Sequence, residues 1–324
     1  MRAMTFTLEE THGGGGIDLV VTGRWSAAAE ACLRDGHADG LVLNYAKGYN
    51  QEDVSFLPGL PVRRLQIIDR SLADLSPVYS LADSLELLSV ESDPSAAIEL
   101  DELPGLQDLS APWNQIRGSI RFATQLQRLF LLSYSEADFS ALTHLTALNS
   151  LVLWHHPRVR SLDGIESMPW LSELRVSGGR RLEDITALGG AASPVLQILR
   201  LPGCRKVRDI APLRACPSLR FFDLAEAGTI ASVGPLSDLV SLERLHLYGS
   251  TTVADGDLGP IARLPRLTDF KMMNRRHYSP SATAIEESIA NRSRGRWRRL
   301  REGGVLGAGR RSRFPRLRRA SDGR

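Results

Sequence analysis

The stretch LQILRLPGCRKVRDIAPLRACPS, residues 196–218, decides the fold of this chain. Its first half alternates apolar and other residues up to Leu201, a pattern typical of a β-strand. Its second half repeats apolar residues at every third position, at Val207, Ile210 and Leu213, which is the step of a tight helical turn. A unit this short cannot bury its apolar side alone, so the pattern predicts neighbouring units of the same kind.

Similar units recur along most of the chain, with starts 20 to 25 residues apart. Ten copies align on their first apolar residue, and these starts are Val62, Leu85, Leu106, Leu126, Leu148, Leu171, Leu196, Leu219, Leu242 and Leu267. A regular repeat of this length predicts one stacked array rather than several globular domains, because each unit contacts only its neighbours.

The L-x-x-L-x-L pattern resembles that of the leucine-rich-repeat proteins. The resemblance is nearest to the bacterial, internalin-like class of short repeats, whose convex side carries an Asp-Ile/Leu run; it covers about residues 38–274. It implies an α/β fold, a right-handed solenoid shaped as a horseshoe or arc. A parallel sheet would line the concave side, with 3₁₀ or turn segments on the convex side. It also implies a binding scaffold, the chief use of this family.

The convex-side run places an aspartate at one repeat position in four copies, at Asp74, Asp138, Asp184 and Asp209. A residue that recurs at one structural position predicts a structural role. Asp side chains often accept hydrogen bonds from backbone groups two residues further on. We therefore expect these four carboxylates to hold the convex turns.

Four segments follow from this pattern. Residues 1–37 are expected to form an N-terminal cap of two short strands and one helix, which Ser26 caps. Residues 38–274 hold about eleven repeat strands, 275–291 a helical C-terminal cap, and 292–324 a disordered Arg-rich tail. The glycines at 13–16 suggest a phosphate loop, but no Lys-Ser/Thr pair follows them, so a turn is expected.

The charge is distributed unevenly. From Arg292 onward there are 13 Arg and 2 acidic residues, whereas the preceding 291 residues hold 27 basic and 35 acidic groups. A basic tail of this kind could contact nucleic acid or an acidic membrane without sequence specificity, with Trp297 and Phe314 assisting. The alternative is an unstructured extension without a function.

Composition excludes several classes of protein. No run of about 18 apolar residues is present, so no membrane span is expected. The first residues lack the apolar core of a signal peptide, so a cytoplasmic protein is expected. The resemblance implies a bacterial source. The three cysteines, Cys32, Cys204 and Cys216, cannot all pair and lack metal-ligand spacing, so buried, reduced thiols are expected.

Side chains between the repeat leucines point outward from the concave face, because neighbouring strand residues face opposite ways. On this face an apolar patch is predicted from Phe130, Leu132, Val152 and Trp154, which occupy neighbouring strands. Trp113 and His155 are expected at its edge. Large exposed apolar patches usually mark interaction sites.

Charged residues are expected beside the apolar patch. Arg175 and Arg200 form an arginine pair on the next two strands, with Glu173 close by. Farther along lies a polar-aromatic cluster, consisting of Arg244, His246, Tyr248 and Lys271. Trp, Tyr and Arg dominate the residues that contribute most to protein binding.

The sequence contains no convincing catalytic or metal constellation. His155 and His156 are adjacent in a strand-like segment and would face opposite ways, so they cannot easily bind one ion. His246 could pair with Asp223 as an acid and base, but nothing nearby supplies a nucleophile. We therefore expect no enzyme activity, no cofactor and no metal.

The sequence thus predicts a protein–protein interaction scaffold that binds a protein partner through its concave face, as an adaptor, inhibitor or immunity-type protein. The alternatives are a nucleic-acid-associated protein that uses its tail, or an accessory subunit of an enzyme. Nucleic acid would be contacted only through the tail. The apolar patch could instead pack on loops of this chain or on a second copy.

Overall fold

The computed structural model describes residues 5–11, 15–190 and 194–303, with the backbone alone for 293–303. A sheet of 13 strands runs through the molecule in the order β1-β2-β3-β4-β5-β6-β7-β8-β9-β10-β11-β13-β15, and β12 and β14 form a second, two-stranded sheet. The strands are β1 (Phe6–Glu10), β2 (Ile17–Val21), β3 (Gly40–Asn44), β4 (Arg64–Ile68), β5 (Leu87–Glu91), β6 (Asp108–Pro112), β7 (Arg128–Leu132), β8 (Ser150–Trp154), β9 (Glu173–Val176), β10 (Ile198–Arg200), β11 (Phe221–Asp223), β12 (Thr229–Ile230), β13 (Arg244–Leu247), β14 (Thr252–Val253) and β15 (Asp269–Met272).

The large sheet is a leucine-rich-repeat solenoid. Its eleven repeat strands, from β3 to β11 with β13 and β15, are parallel and follow chain order, as predicted. Within β8, buried Leu151 and Leu153 alternate with half-buried outward residues. The same alternation in β4, β5 and β6 places one continuous apolar core behind the sheet. In these strands the outward side chains are only partly covered by the chain itself.

Short 3₁₀ segments form the opposite side of the coil, as predicted. They are Tyr45–Lys47, Ser76–Leu81, Leu100–Glu102, Ile120–Phe122, Ser140–Leu142, Ile165–Ser167, Thr186–Gly189, Ala211–Ala215 and Gly234–Asp238. Helix α3 (Gly259–Ala262) occupies the comparable connection between β13 and β15, whereas α2 (Trp113–Ile116) begins directly after β6.

The four recurrent aspartates hold these turns. Each carboxylate accepts a hydrogen bond from the backbone N–H two residues later, at 2.8 to 2.9 Å. The donors are Ser76, Ser140, Thr186 and Ala211. These bonds lower the pKa of Asp74 and of Asp184. The predicted structural role of the four aspartates is confirmed.

The N-terminal end is closed by β1 and β2, which pair antiparallel, and by helix α1 (Ala27–Arg34). Ser26 caps the helix as predicted, because its side chain accepts a hydrogen bond from the N–H of Ala29. Arg64 joins this region to the first repeats, with its guanidinium 3.0 Å from the carboxylate of Asp18 and 2.7 Å from that of Asp39.

The C-terminal end is covered by helix α4 (Ala282–Gly303), on which Ala282, Ile285 and Ile289 are buried. The predicted cap helix is therefore present, but its predicted end at residue 291 is wrong. The helix continues to Gly303, so a disordered tail from residue 292 is contradicted for 292–303. Arg, Leu and Glu, which have high helix propensity, make up much of this segment. The rest of the predicted tail, 304–324, lies outside the described residues.

No described helix has both the length and the apolar character needed to cross a bilayer. All three cysteines lie in the described part of the chain; they are buried and none forms a disulfide. Burial raises the pKa of the Cys204 thiol to about 12, which keeps it protonated and unreactive.

The ion pairs of Arg64 predict a pH-dependent stability. The hydrogen bond from Arg64 holds the pKa of Asp39 below its ordinary value. A carboxyl group whose pKa is lower in the folded than in the unfolded chain stabilises the fold. This stabilisation is fully present above the pKa in the unfolded chain, about 4, and is lost as the pH falls through the lower pKa in the folded chain. We expect Arg64→Met to lower the free energy of unfolding by about 1 to 2 kcal/mol at neutral pH. The loss should be smaller at about pH 3, because Asp39 of the unfolded chain is largely protonated there. Urea unfolding at both pH values measures this difference.

Arg63→Met is the matched control, because Arg63 is the neighbouring residue and its pair with Glu86 is exposed. An exposed pair contributes little, so this variant should unfold almost as the wild type does at both pH values. Equal losses for Arg64→Met at both pH values would show that Asp39 is not the group responsible.

Candidate functional site

The outward residues of the sheet form straight rows across the strands. The central row runs in register through every repeat strand from β4 to β15. Its members are Gln66, Ser89, Ser110, Phe130, Val152, Arg175, Arg200, Asp223, His246 and Lys271. The predicted concave surface is therefore present, with the same residues side by side.

The apolar patch lies near the middle of this surface. Phe130 and Val152 are register partners on β7 and β8, and Trp154 is two residues beyond Val152. All three side chains are half-buried, so part of each remains accessible to solvent. Leu132, the fourth member, pairs in register with Trp154 but is only 8% exposed, so it supports the patch more than it offers surface.

Trp113 corrects one expectation, because it belongs to the core and not to the edge of the patch. It is 3% exposed, its indole N–H donates to the Glu136 carboxylate at 2.8 Å, and its ring packs edge-on against Tyr134 at 4.7 Å. The cause is local: Trp113 begins α2 directly after β6, and there the chain turns inward.

His155 remains at the edge of the patch as predicted. It is exposed, has a left-handed backbone φ of 60°, and its ring lies 6.4 Å from that of Trp154. His156 has a similar φ of 57°, so both residues are part of a turn beyond β8 and not of the strand. Within the described ranges no three His, Cys, Asp or Glu side chains are grouped so that they could hold a metal.

Arg175 connects the apolar patch to the charged part of the surface. Its guanidinium lies 4.8 Å from the centre of the Trp154 ring, and its Nε–H donates to the Ser177 hydroxyl at 3.0 Å. Burial lowers the pKa of this guanidinium, and the charge of neighbouring Arg200 lowers it further. Arg175 is thus a fixed, partly desolvated cation.

Arg200, the other member of the arginine pair, is neutralised by this chain. Its Nη2 and Nε lie 3.0 and 3.1 Å from one carboxylate oxygen of Asp223 on the next strand. The second oxygen of Asp223 accepts the N–H of Ala225 at 3.1 Å. Because Asp223 is bound in this way and its side chain is only 5% exposed, it is not an accessible base.

Phe221 is a member of the site that the sequence analysis missed. It faces outward but is only 6% exposed, because the guanidiniums of Arg200 and Arg244 lie 5.0 and 4.3 Å from its ring centre and His246 packs against it edge-on at 5.0 Å. The signal was present in the sequence, since buried Phe222 fixes Phe221 on the opposite face of the strand.

The polar-aromatic cluster is assembled differently from the prediction. His246 forms a 2.9 Å pair with Asp269 on β15, and not with Asp223. Asp269 is the register partner of Arg244, and both stand two residues before the central row. Arg244 and Lys271 are exposed, and Tyr248 is 54% exposed. The cluster thus leaves polar and aromatic side chains accessible to solvent.

Two kinds of contact recur on this surface: arginines over aromatic rings, and ion pairs between side chains of adjacent strands. Its aromatic rings carry stacked arginines, a contact worth about 0.5 to 2 kcal/mol depending on solvent exposure. The buried carboxylate of Asp223 on this surface accepts hydrogen bonds from Arg200 and from a backbone N–H. Among the described residues, His246 makes its side-chain hydrogen bond to Asp269 and to no serine, threonine or cysteine.

Comparison with solved structures shows the fold. The chain is similar to an internalin of Listeria monocytogenes, with a TM-score of 0.57 and 18% identity over 80% of this chain and 83% of that one. A leucine-rich-repeat protein of Leptospira interrogans matches with a TM-score of 0.42 and 13% identity, over 78% of this chain and 82% of that one. An internalin C2 of Listeria monocytogenes matches with a TM-score of 0.36 and 17% identity, over 66% and 72%.

No protein-family model matches the sequence, and no curated protein matches it either. The internalin likeness, whose TM-score exceeds 0.5, agrees with the strand order and repeat length described above. The chain therefore has the leucine-rich-repeat fold.

Proposed function

We propose that this chain is a non-enzymatic scaffold that binds a protein partner through its concave face. The observation that carries the proposal is the half-buried apolar patch, which stands on the outward side of the sheet next to Arg175. A folded monomer rarely leaves apolar and aromatic side chains together on an outward sheet face unless another surface covers them.

The surroundings of the patch favour a protein over other ligands. Phe130, Val152 and Trp154 supply apolar area, while Arg175, Arg244 and Tyr248 supply directed polar contacts. Protein interfaces combine an apolar, aromatic centre with Arg residues and a polar rim. Elsewhere along the sheet, some charged side chains at the strand starts are paired with each other, as in the 2.6 Å pair of Arg128 with Asp108.

A scaffold of this kind acts by covering or positioning its partner, as an adaptor, inhibitor or immunity-type protein. We further propose that it acts in the bacterial cytoplasm. The absence of a disulfide among its three cysteines, all of them described, is consistent with a reducing compartment.

The test is to purify the tagged full chain from its native host, identify the stoichiometric partner by mass spectrometry and reconstitute the complex from purified proteins. Hydroxyl-radical footprinting then measures the oxidation of individual side chains with and without the partner. We expect Trp154 and Tyr248 to become protected, because the partner would exclude solvent from them.

Trp170 is the internal control, since it is 67% exposed and lies outside the strands. Its oxidation should stay unchanged. Protection of Trp170 with Trp154 unprotected would place the partner elsewhere and contradict the proposal. Concentration-dependent protection of Trp154 in the purified chain alone would instead identify a second copy as the occupant.

A further inference from the structure

Arg175 differs from the other arginines in the rows of the sheet. Arg64, Arg128 and Arg200 each contact a carboxylate of this chain at 2.6 to 3.0 Å. Arg175 has no ion pair within 4 Å among the described residues, although it is half-buried. Arg244 also lacks such a pair within the described part of the chain, but it is exposed and water can solvate it. The charge of Arg175 is therefore the least compensated on this face.

The geometry of Arg175 fits recognition of an external anion. Trp154 supports the plane of the guanidinium, and Ser177 accepts from its Nε, so the group is held in place. The two Nη groups make no hydrogen bond to any described residue. A planar guanidinium with both Nη groups available can bind a carboxylate through two parallel hydrogen bonds. Burying a charge without a partner is unfavourable, so such a partner would remove a cost that the unbound protein carries.

We propose that Arg175 is the binding site for one acidic side chain, Asp or Glu, of the partner protein. The acidic residue would belong to an extended segment whose neighbouring apolar side chain packs on Phe130, Val152 and Trp154. This inference rests on the proposed function and names the chemistry that the partner must present.

The charges around Arg175 favour a carboxylate over a phosphate group. Arg200 is already bound to Asp223, so the site supplies one uncompensated guanidinium and not two. A phosphate monoester carries close to two negative charges at neutral pH, about −1.5 to −2. One guanidinium cannot balance that charge. A single carboxylate matches the site in charge.

The spacing of the strands predicts the spacing within the partner. Phe130, Val152 and Arg175 follow each other on three adjacent strands, which lie about 4.8 Å apart. The distance from the middle of the Phe130–Val152 pair to Arg175 is thus about 7 Å. Side chains at positions i and i+2 of an extended segment point the same way and lie about 6.6 Å apart. We expect an apolar residue followed or preceded, two positions away, by Asp or Glu.

A random-peptide library displayed on phage tests this proposal, with the full chain as bait. Enriched sequences should share the apolar-x-acidic pattern. A synthetic peptide of the consensus and its counterpart with Gln for Glu are then titrated against the wild type and against Arg175→Met, which keeps an unbranched apolar stem. We expect the Gln peptide to bind the wild type about tenfold more weakly, and the two peptides to bind Arg175→Met within about twofold of each other.

Arg244→Met is the matched control, because Arg244 also stacks on a ring and lacks an ion pair among the described residues. The tenfold difference should persist in that variant. Enrichment of peptides without acidic residues, of phosphate-mimicking acidic clusters, or of nothing at all would overturn the proposal. So would a Glu-to-Gln effect of equal size in Arg175→Met. In each of these cases the footprint of the reconstituted complex still decides whether the concave face binds a protein.

Discussion

Gly164→Ala should destabilise the solenoid by about 2 to 5 kcal/mol, combining left-handed strain with overpacking. Gly164 has a φ of 102°, and a methyl group there would lie 2.6 Å from the carbonyl carbon and 2.8 Å from the carbonyl oxygen of Phe139. Both contacts are to backbone of the preceding repeat, which no side-chain rotation can relieve. Urea unfolding followed by far-UV circular dichroism would show a lower midpoint.

Gly36→Ala separates strain from crowding. Gly36 has a similar left-handed φ of 74°, but a methyl group there would meet no atom within 4 Å. It should cost about 1 to 2 kcal/mol, the left-handed strain alone. If the two variants unfolded at the same urea concentration, close packing of the repeat at Gly164 would not be a determinant of stability.

The fold was predictable because every repeat must bury apolar side chains at the same strand positions. Each strand needs apolar residues at its inward positions, so the leucine register of residues such as Leu151 and Leu199 appears directly in the sequence. The turns were predictable for the same reason, since Asp138 and its counterparts must satisfy the same backbone N–H in each copy. Ten similar copies make the register consistent from one repeat to the next.

The site was only partly predictable, because it also depends on where each strand ends. The outward positions after the second leucine were followed through every repeat, whereas only Glu173 and Arg244 were considered at the position before it. Phe221 and Asp269 both occupy that earlier position, so the stacking of Arg244 and the true partner of His246 were not foreseen. Trp113 was misplaced because the start of a four-residue helix is not visible in a strand pattern.

The C-terminal boundary was misplaced for a compositional reason. A segment rich in Arg and Gly predicts disorder, yet Arg is also a good helix former once a helix has started. Ser281 caps the start of α4 by accepting from the N–H of Ala284, and buried Ile285 and Ile289 anchor its first turns. Extension from such an anchored start adds one hydrogen bond per residue and needs no new nucleus.

The double substitution Phe130→Ala and Trp154→Ala should weaken partner binding by about 100-fold or more, the sum of two strongly contributing aromatic contacts. Removal of Trp154 also removes the support for the Arg175 guanidinium, so both the apolar and the charged contact would suffer. Because both rings are only half-buried, the melting temperature should fall by less than about 4 °C. Isothermal titration calorimetry and a thermal melt of the same samples measure the two quantities.

The most direct test of the concave face is the dissociation constant of the identified partner, measured for two double variants. The first variant combines Phe130→Ala with Trp154→Ala, and the second combines Phe122→Ala with Trp170→Ala. The second pair removes the same ring types from exposed sites outside the strands, 46% and 67% exposed. We predict a loss of about 100-fold for the concave pair and of less than about threefold for the other. Equal affinity of both variants for the partner would contradict the assignment of this face as the binding surface.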